Sequence, residues 1–387
     1  MFVDDNLRKT LLDNFLNYAG VWTTSDCARA DSGIQPSTDR QFELANILAA
    51  QLSQLGLCDI QVTEHCYVYG RLPSFGVENL PSFCLLAHLD TVEECSGKDV
   101  KCVLSQKNGD TIISSDGSTL LGADDKAGIA EIMTLFSFLN AHRDIPHREI
   151  EVCFSPDEET GHGMDNVPLN LIRSKQAYTV DGGSAGELET ECFNAYKSVV
   201  EFSGNAIHTG SGRGCLVNAV TMASQFVSLL PRNEAPETTD GYEGFFAPME
   251  ISGSLEKSSV TVFLRDFSME GMKRRLSLTE KIAETVAESF GGSVKVFNTC
   301  QYYNMKNVLD KSKETVDNLI KAYRAAGIEP VFPPIRGGTD GSRLCEMGIP
   351  APNIFTGGHN FHSRNEWASL NEMCLAVEVL INLAVSK

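Results

Sequence analysis

The sequence predicts an α/β protein: a mixed, mostly parallel sheet flanked by helices, with a smaller α+β unit inserted. Three observations predict it. Short apolar runs of strand length at 67–72, 83–89, 150–154 and 177–180 alternate with helix signals, an order that gives parallel strands. The pattern then changes near residue 194 to closely spaced strands between two helices. Finally, polar residues follow directly on several apolar runs, at the carboxyl ends of strands where open α/β sheets bind ligands.

Residues 5–20 and 40–57 are expected helices. In the second, Phe42, Leu44, Ile47, Leu48, Leu52 and Leu55 make a broad apolar stripe. Residues 23–38, rich in Ser, Asp, Gly and Pro, read as a loop. A helix is expected over 124–140, after a turn at Gly122. Beyond residue 194, strands at 198–202, 260–264 and 293–297 and helices at 215–230 and 272–290 suit a strand–helix–strand–strand–helix–strand unit. A helix over 313–326 and strand-and-turn segments over 329–361 lead back to the first region. The expected organisation is a discontinuous catalytic domain, residues 1–194 and 306–387, with a lid at 195–305.

Composition narrows the function. The chain has 387 residues, room for two or three domains at roughly 150 residues each. Its 32 Lys and Arg against 51 Asp and Glu give a net charge of −19. That argues against nucleic acid and anionic membrane, which need a basic face. The most apolar stretch, 374–385, carries Glu378 and Asn382, so a membrane span is not expected. The start Met-Phe-Val-Asp-Asp does not resemble a secretory signal. The 12 cysteines form no Cys-x-x-Cys pair, which disfavours a thiolate zinc cluster. Cys84 and Cys153 lie in apolar runs as small buried hydrophobes. A reduced, cytoplasmic protein is expected.

Five segments concentrate the polar chemistry: 85–90 (LLAHLD), 121–128 (LGADDKAG), 154–161 (FSPDEETG), 178–183 (YTVDGG) and 357–362 (GGHNFH). Each has an ordinary reading. Asp125 suits a helix N-cap, Glu158 and Glu159 solvated first-turn charge, and His88 a satisfied core histidine. Together they offer two imidazoles and three carboxylates, enough for two divalent ions, and both ligand types suit zinc. His88 and Asp90 lie two apart on a strand and so share a face. A ligating imidazole usually passes its second N–H to such a carboxylate. Adjacent Glu158 and Glu159 point in different directions, so one can bind metal while the other serves as general base.

With these residues in view, the chain resembles the peptidase T family of tripeptide aminopeptidases. It is similar, more broadly, to the co-catalytic zinc metallopeptidases that include glutamate carboxypeptidases and aminoacylases. The most specific stretches are 122–133 (GADDKAGIAEIM), 156–159, 177–183, 241–245 (GYEGF), 302–305 (YYNM), 335–341 and 353–362. The resemblance implies a zinc exopeptidase catalytic domain carrying a lid and dimerisation domain. It implies two zinc ions per subunit, with cobalt or manganese as substitutes. Asp124 would bridge them, Glu159 and His362 completing one site and His88 and Asp181 the other. His359 is the alternative to His362. Glu158 would be the general base for a water between the zincs, and Asp90 the orienting carboxylate. In the lid, His208 would bind the substrate carbonyl oxygen, supplied in dimeric relatives by the partner subunit. Asn218 and Arg265 match lid positions near substrate. Arg265 would pair with the peptide carboxylate or, equally, form a salt bridge to Asp266 or another acid. Two departures concern substrate preference: Thr209 replaces the family's proline after His208, and the segment between Cys95 and Gly117 is short.

The implied reaction is removal of the N-terminal residue from tripeptides, with a homodimer through the lid. Dipeptidase, carboxypeptidase or N-acyl-amino-acid deacylase action on the same zinc site is the alternative. A non-catalytic binding protein is the reading from another class. The glycine-rich turns 210–214 and 337–341 suggest a phosphate cradle, but neither phosphate-loop nor dinucleotide spacing is present.

Overall fold

The computed structural model describes residues 2–385. The chain divides into two compact units, Met1–Thr190 with Met305–Pro333 and Thr339–Lys387, and Glu191–Asn304 with Pro334–Gly338. The short segment Pro334–Gly338 groups with the second unit, although its neighbours in sequence belong to the first.

The first unit is the α/β body. Its main sheet has seven strands, in the order Cys58–Val62, Val68–Leu72, Ile150–Ser155, Phe83–His88, Ala177–Gly182, Asn353–Phe355 and Leu188–Glu189. The four strands from Ile150–Ser155 to Asn353–Phe355 run parallel, and both edges turn antiparallel. Every residue of Phe83–His88 and Ile150–Ser155 is buried. That explains why they read as unbroken apolar runs rather than alternating ones. The helices Asp5–Ala19, Gln41–Gln54, Ala123–Ala141, Lys313–Ala325 and Leu370–Val385 contribute to one continuous core with these strands. The first begins on Asp4, whose carboxylate accepts the Leu7 N–H at 2.8 Å, an N-cap.

A second, antiparallel sheet of four strands was not expected: Gly358–His359, Trp367–Ser369, Asp110–Ser115 and Cys102–Lys107. Its hairpin turns through Asn108 and Gly109, both at positive φ (54° and 80°). Asn-Gly is the strongest short-range hairpin signal. It was present in the sequence, but the flanking strand Cys102–Lys107 is almost wholly exposed and gives no apolar alternation.

The second unit is a four-stranded antiparallel sheet in the order Phe245–Gly253, Lys257–Asp266, Asn194–Ser203 and Ser293–Tyr302. Its core joins Val200, Phe202, Val260, Val262 and Leu264 of the sheet to Met222 and Phe226 of helix Ala219–Leu229 and Met272, Ala283 and Val286 of helix Met269–Phe290. The one strand not located in the sequence, Phe245–Gly253, is an edge strand containing Pro248 with its outer six residues exposed. Proline is tolerated at edges because it need not donate to a ladder.

Candidate metal centre

Three parallel strands end where the chemistry gathers. His88 closes the strand Phe83–His88, and its Nε2 lies 2.8 Å from Asp124 Oδ1 and 3.6 Å from Asp181 Oδ1. Asp181 sits near the end of Ala177–Gly182. The other oxygen of Asp124 lies 3.1 Å from His362 Nε2, which is 3.1 Å from Glu159 Oε2. Glu159 belongs to the 3₁₀ turn Glu158–Thr160 that follows strand Ile150–Ser155. The result is two triads, His88–Asp124–Asp181 and Asp124–Glu159–His362, each with ligand atoms within 4.8 Å of one another. Asp124 is common to both.

Local structure explains how Asp124 reaches both. Gly122 at φ 80° reverses the chain before helix Ala123–Ala141, and Asp124 itself is non-helical. Glu366 holds this turn: its carboxylate accepts the N–H groups of Leu121 and Gly122 at 2.8 Å and of Asp124 at 3.1 Å. The peptide joining Asp124 to Asp125 is cis. Asp125 caps the helix, as its ordinary reading anticipated, accepting the Gly128 N–H at 3.1 Å. It also accepts the His88 N–H at 3.2 Å, tying helix to strand.

Asp90 does more than was expected of it. His88 Nδ1 lies 3.1 Å from the Asp90 carbonyl oxygen and 3.4 Å from its carboxylate, so main chain and side chain share the orienting contact. The carboxylate also accepts the N–H groups of Glu158 at 3.0 Å and Glu159 at 3.3 Å. One residue therefore registers the His88 strand against the glutamate turn.

The electrostatics are those of a buried acid cluster that compensates its charge with protons. Burial favours neutral His88, but Asp181, Asp124 and Asp90 outweigh it and hold its pKa well above the ordinary value. Hydrogen bonds to Asp124 and Glu159 lift His362 to about 11. Burial raises Glu159 to about 8 and Asp181 to about 6, and holds Glu158 well above the usual carboxylate range. Burial pushes Asp124 the same way, but hydrogen bonds from His362 and His88 win and depress it. Glu159 Oε1 is buried with no hydrogen-bond partner among the described residues. A buried acceptor is expensive to leave unpaired, and a cation at this place would satisfy it. Nitrogen and oxygen donors in two groups around a shared carboxylate fit two divalent ions.

The remaining expected residues are placed as follows. His359 is not in either triad; it stacks on Trp367 at 4.0 Å between ring centroids and lies 3.2 Å from Glu372. In the second unit, His208 is exposed and its Nδ1 accepts the Gly210 N–H. Asn218 caps helix Ala219–Leu229 through the Val220 and Thr221 N–H groups. Arg265 donates to the carbonyls of Leu264 and Tyr196 and lies over the rings of Phe263 and Tyr302. Its anticipated salt bridge to Asp266 is not formed: Asp266 pairs instead with Arg275, at 2.9 Å.

Sequence reasoning missed two acids beside the centre. Glu366 is one. The other is Asp340, buried, hydrogen-bonded by the Ser155 hydroxyl and pushed by burial up to about 7. Asp340 lies in the glycine-rich segment 337–341, whose pattern is that of a turn and gives a single acid no signal of its own.

Two groups of candidate metal ligands sharing one carboxylate, at the carboxyl end of a mixed α/β sheet, define the class of protein. Residues 84–386 match peptidase family M20/M25/M40. The chain is 42% identical to a peptidase T of Clostridium perfringens, over 97% of this chain and 98% of that one. It is 41% identical to a peptidase T of Bacillus licheniformis, over 97% and 98%. Among solved structures it is similar to the aminopeptidase PepT of Bacillus cereus (TM-score 0.81, 22% identity, 100% of both chains). It is also similar to a dinuclear metal-binding peptidase of the M20 family from Bacillus subtilis (TM-score 0.70, 14% identity, 99% and 98%). The chain belongs to peptidase family M20/M25/M40, and it is an enzyme of the metallo-aminopeptidase kind. No described helix is long and apolar enough to cross a membrane.

Proposed function

We propose that this chain is a tripeptide aminopeptidase that hydrolyses the bond after the N-terminal residue. The observation that carries the chemistry is the pair of triads sharing Asp124, with Glu158 beside them. The substrate class rests on likeness to the peptidase T relatives over nearly the whole chain. His88, Asp181 and Asp124 would hold one divalent ion and Asp124, Glu159 and His362 the other, zinc by the chemistry of the donors. When bound, such ions supply Lewis acidity, which polarises the scissile carbonyl and makes water acidic near neutral pH.

The protein's own groups then handle position and protons. Glu158, half-buried and held by its N–H on Asp90, takes the proton of the attacking water. It returns a proton to the leaving amine. Its raised pKa suits a group that must both accept and give. Asp90 keeps His88 oriented, and Asp125 fixes the main chain beneath it. From the second unit, read as a lid, His208 donates to the carbonyl oxygen, from this chain or from a partner copy in a homodimer. Arg265 reads the peptide carboxylate. Asn218 serves through the helix it caps.

The test is product analysis by mass spectrometry on the zinc-loaded protein, with one tripeptide offered free, N-acetylated and C-amidated. Release of the N-terminal residue from the free peptide, abolished by acetylation, is the expected result. Cleavage of the acetylated peptide alone would replace this reading with a deacylase or carboxypeptidase. A weakened amidated substrate identifies a group that reads the carboxylate.

A further inference from the structure

The loop before helix Gln41–Gln54 reads as a connector in the sequence, yet Ser37, Thr38 and Gln41 are buried. The polar groups of Ser37 and Gln41 converge on Asp157, the residue immediately before Glu158. The Ser37 N–H donates to Asp157 Oδ2 at 2.7 Å and the Ser37 hydroxyl to Oδ1 at 2.5 Å. The Gln41 amide nitrogen donates to Oδ1 at 2.7 Å, and the Gln41 amide oxygen accepts the Asp157 N–H at 3.2 Å. Gln41 thus grips both the side chain and the main chain of a single residue, 116 positions away in sequence.

Asp157 is a residue that needs holding. Its φ of 58° is left-handed, a conformation that persists in a residue with a side chain where the surroundings over-determine it. Its carbonyl accepts the Thr160 and His162 N–H groups, at 3.3 and 3.1 Å, and the Thr160 hydroxyl at 2.8 Å. From the other side, Asp90 takes the amides of Glu158 and Glu159. The glutamate turn is therefore fixed at two places, by Asp90 and by the loop. The loop is itself anchored beside Asp90, where the Ser25 N–H and hydroxyl both donate to the Thr91 carbonyl, at 3.0 and 3.2 Å.

We propose that Gln41 and Ser37 are positioning residues, which act through Asp157 to aim Glu159 at the Asp124–His362 half of the metal centre and Glu158 at the substrate. The proposal rests on the reading of that centre given above and adds an asymmetry to it. Glu159 belongs to one triad only. The other triad, His88–Asp124–Asp181, stands on two strand ends and a helix turn. Loosening the clamp weakens one ion site and spares the other. A network that merely stabilised the fold would weaken both alike.

The experiment is a calorimetric zinc titration of the metal-free protein, with kcat and KM measured on a tripeptide. Gln41→Met keeps the length and bulk of the side chain and removes its hydrogen bonds. The expected result is one zinc bound with unchanged affinity and the other about tenfold or more weaker, the usual effect of losing an outer hydrogen-bond partner. With both sites saturated, kcat falls about tenfold while KM stays within about threefold. Ser37→Ala shifts both quantities the same way, and Ser37→Thr, which keeps the hydroxyl, restores them. Adding Asp157→Asn to Gln41→Met costs little more than either alone, as expected of groups acting through one contact. Equal weakening of both ions, or wild-type affinities with wild-type kcat, overturns the proposal. The titration needs no substrate, so it stands apart from the tripeptidase reading. Glu158→Gln, which leaves the clamp whole, tests the general base separately.

Discussion

Asp124 is the residue on which the centre turns, because its two oxygens face two different imidazoles at 2.8 and 3.1 Å. Two successive residues beside it diverge: Glu159 Oε2 lies 3.1 Å from His362 Nε2, while Glu158 belongs to neither triad. Replacing Glu158 with Gln should leave zinc content at two per chain and lower turnover by about 10²–10⁴. Elemental analysis alongside steady-state kinetics checks it, and near-normal turnover at full metal occupancy would remove Glu158 from the mechanism. The residues that gather in the two triads were legible because each follows an apolar strand or a glycine turn, so type and place both spoke. The supports were not. Glu366 reaches Asp124 across 242 residues and Gln41 reaches Asp157 across 116. A single acid or amide in a loop carries no periodicity from which such a contact could be inferred.

Elements show the same division between pattern and long-range contact. The buried strands and the long helices announce themselves by runs and stripes, whereas Cys102–Lys107 and Phe245–Gly253 lie at sheet edges and present exposed, irregular faces. Helix Ala123–Ala141 is the element where packing presses hardest on the site. A Cβ on Gly128 would stand 1.9 Å from the Val180 carbonyl oxygen and 2.4 Å from Asp125 Oδ1. Gly128→Ala should therefore cost about 1–3 kcal/mol in urea unfolding and disturb Asp181, the next residue along that strand. An unchanged midpoint would mean the helix can lift off the strand freely. The same helix buries Glu131, neither of whose oxygens has a hydrogen-bond partner among the described residues. Burial first, and Cys374 second, hold its pKa well above the ordinary 4.5. A raised carboxyl contributes stability that is complete below the unfolded-state value and is lost as pH rises toward the folded one. Glu131→Met should thus raise stability at pH 8 by about 1–4 kcal/mol and by clearly less below the ordinary value of 4.5, where the carboxyl is neutral in both states. Urea midpoints at the two pH values decide it, and an equal gain at both would show that packing, not charge, is the cause.

For the whole molecule, the metal centre is where folding and loading meet. The net charge of −19 opposes compaction through self-repulsion, and the centre gathers more acid into one buried place. Its five candidate ligand residues come from positions 88, 124, 159, 181 and 362, so only the folded chain brings them together. Ions that bind the native state alone stabilise it by mass action. Each tenfold rise in free zinc above the dissociation constant adds about 1.4 kcal/mol per ion bound. Two filled sites therefore predict a slope of about 2.7 kcal/mol per decade of free zinc, and one filled site about 1.4. Urea unfolding in zinc buffers spanning two decades, with a chelator baseline, measures that slope directly. Asp181→Ala should halve it by disabling one triad. Asp124→Ala should flatten it, because that residue belongs to both. A flat line for the unaltered protein would mean that the clustered acids do not bind zinc at all, and the proposed chemistry would fall with it.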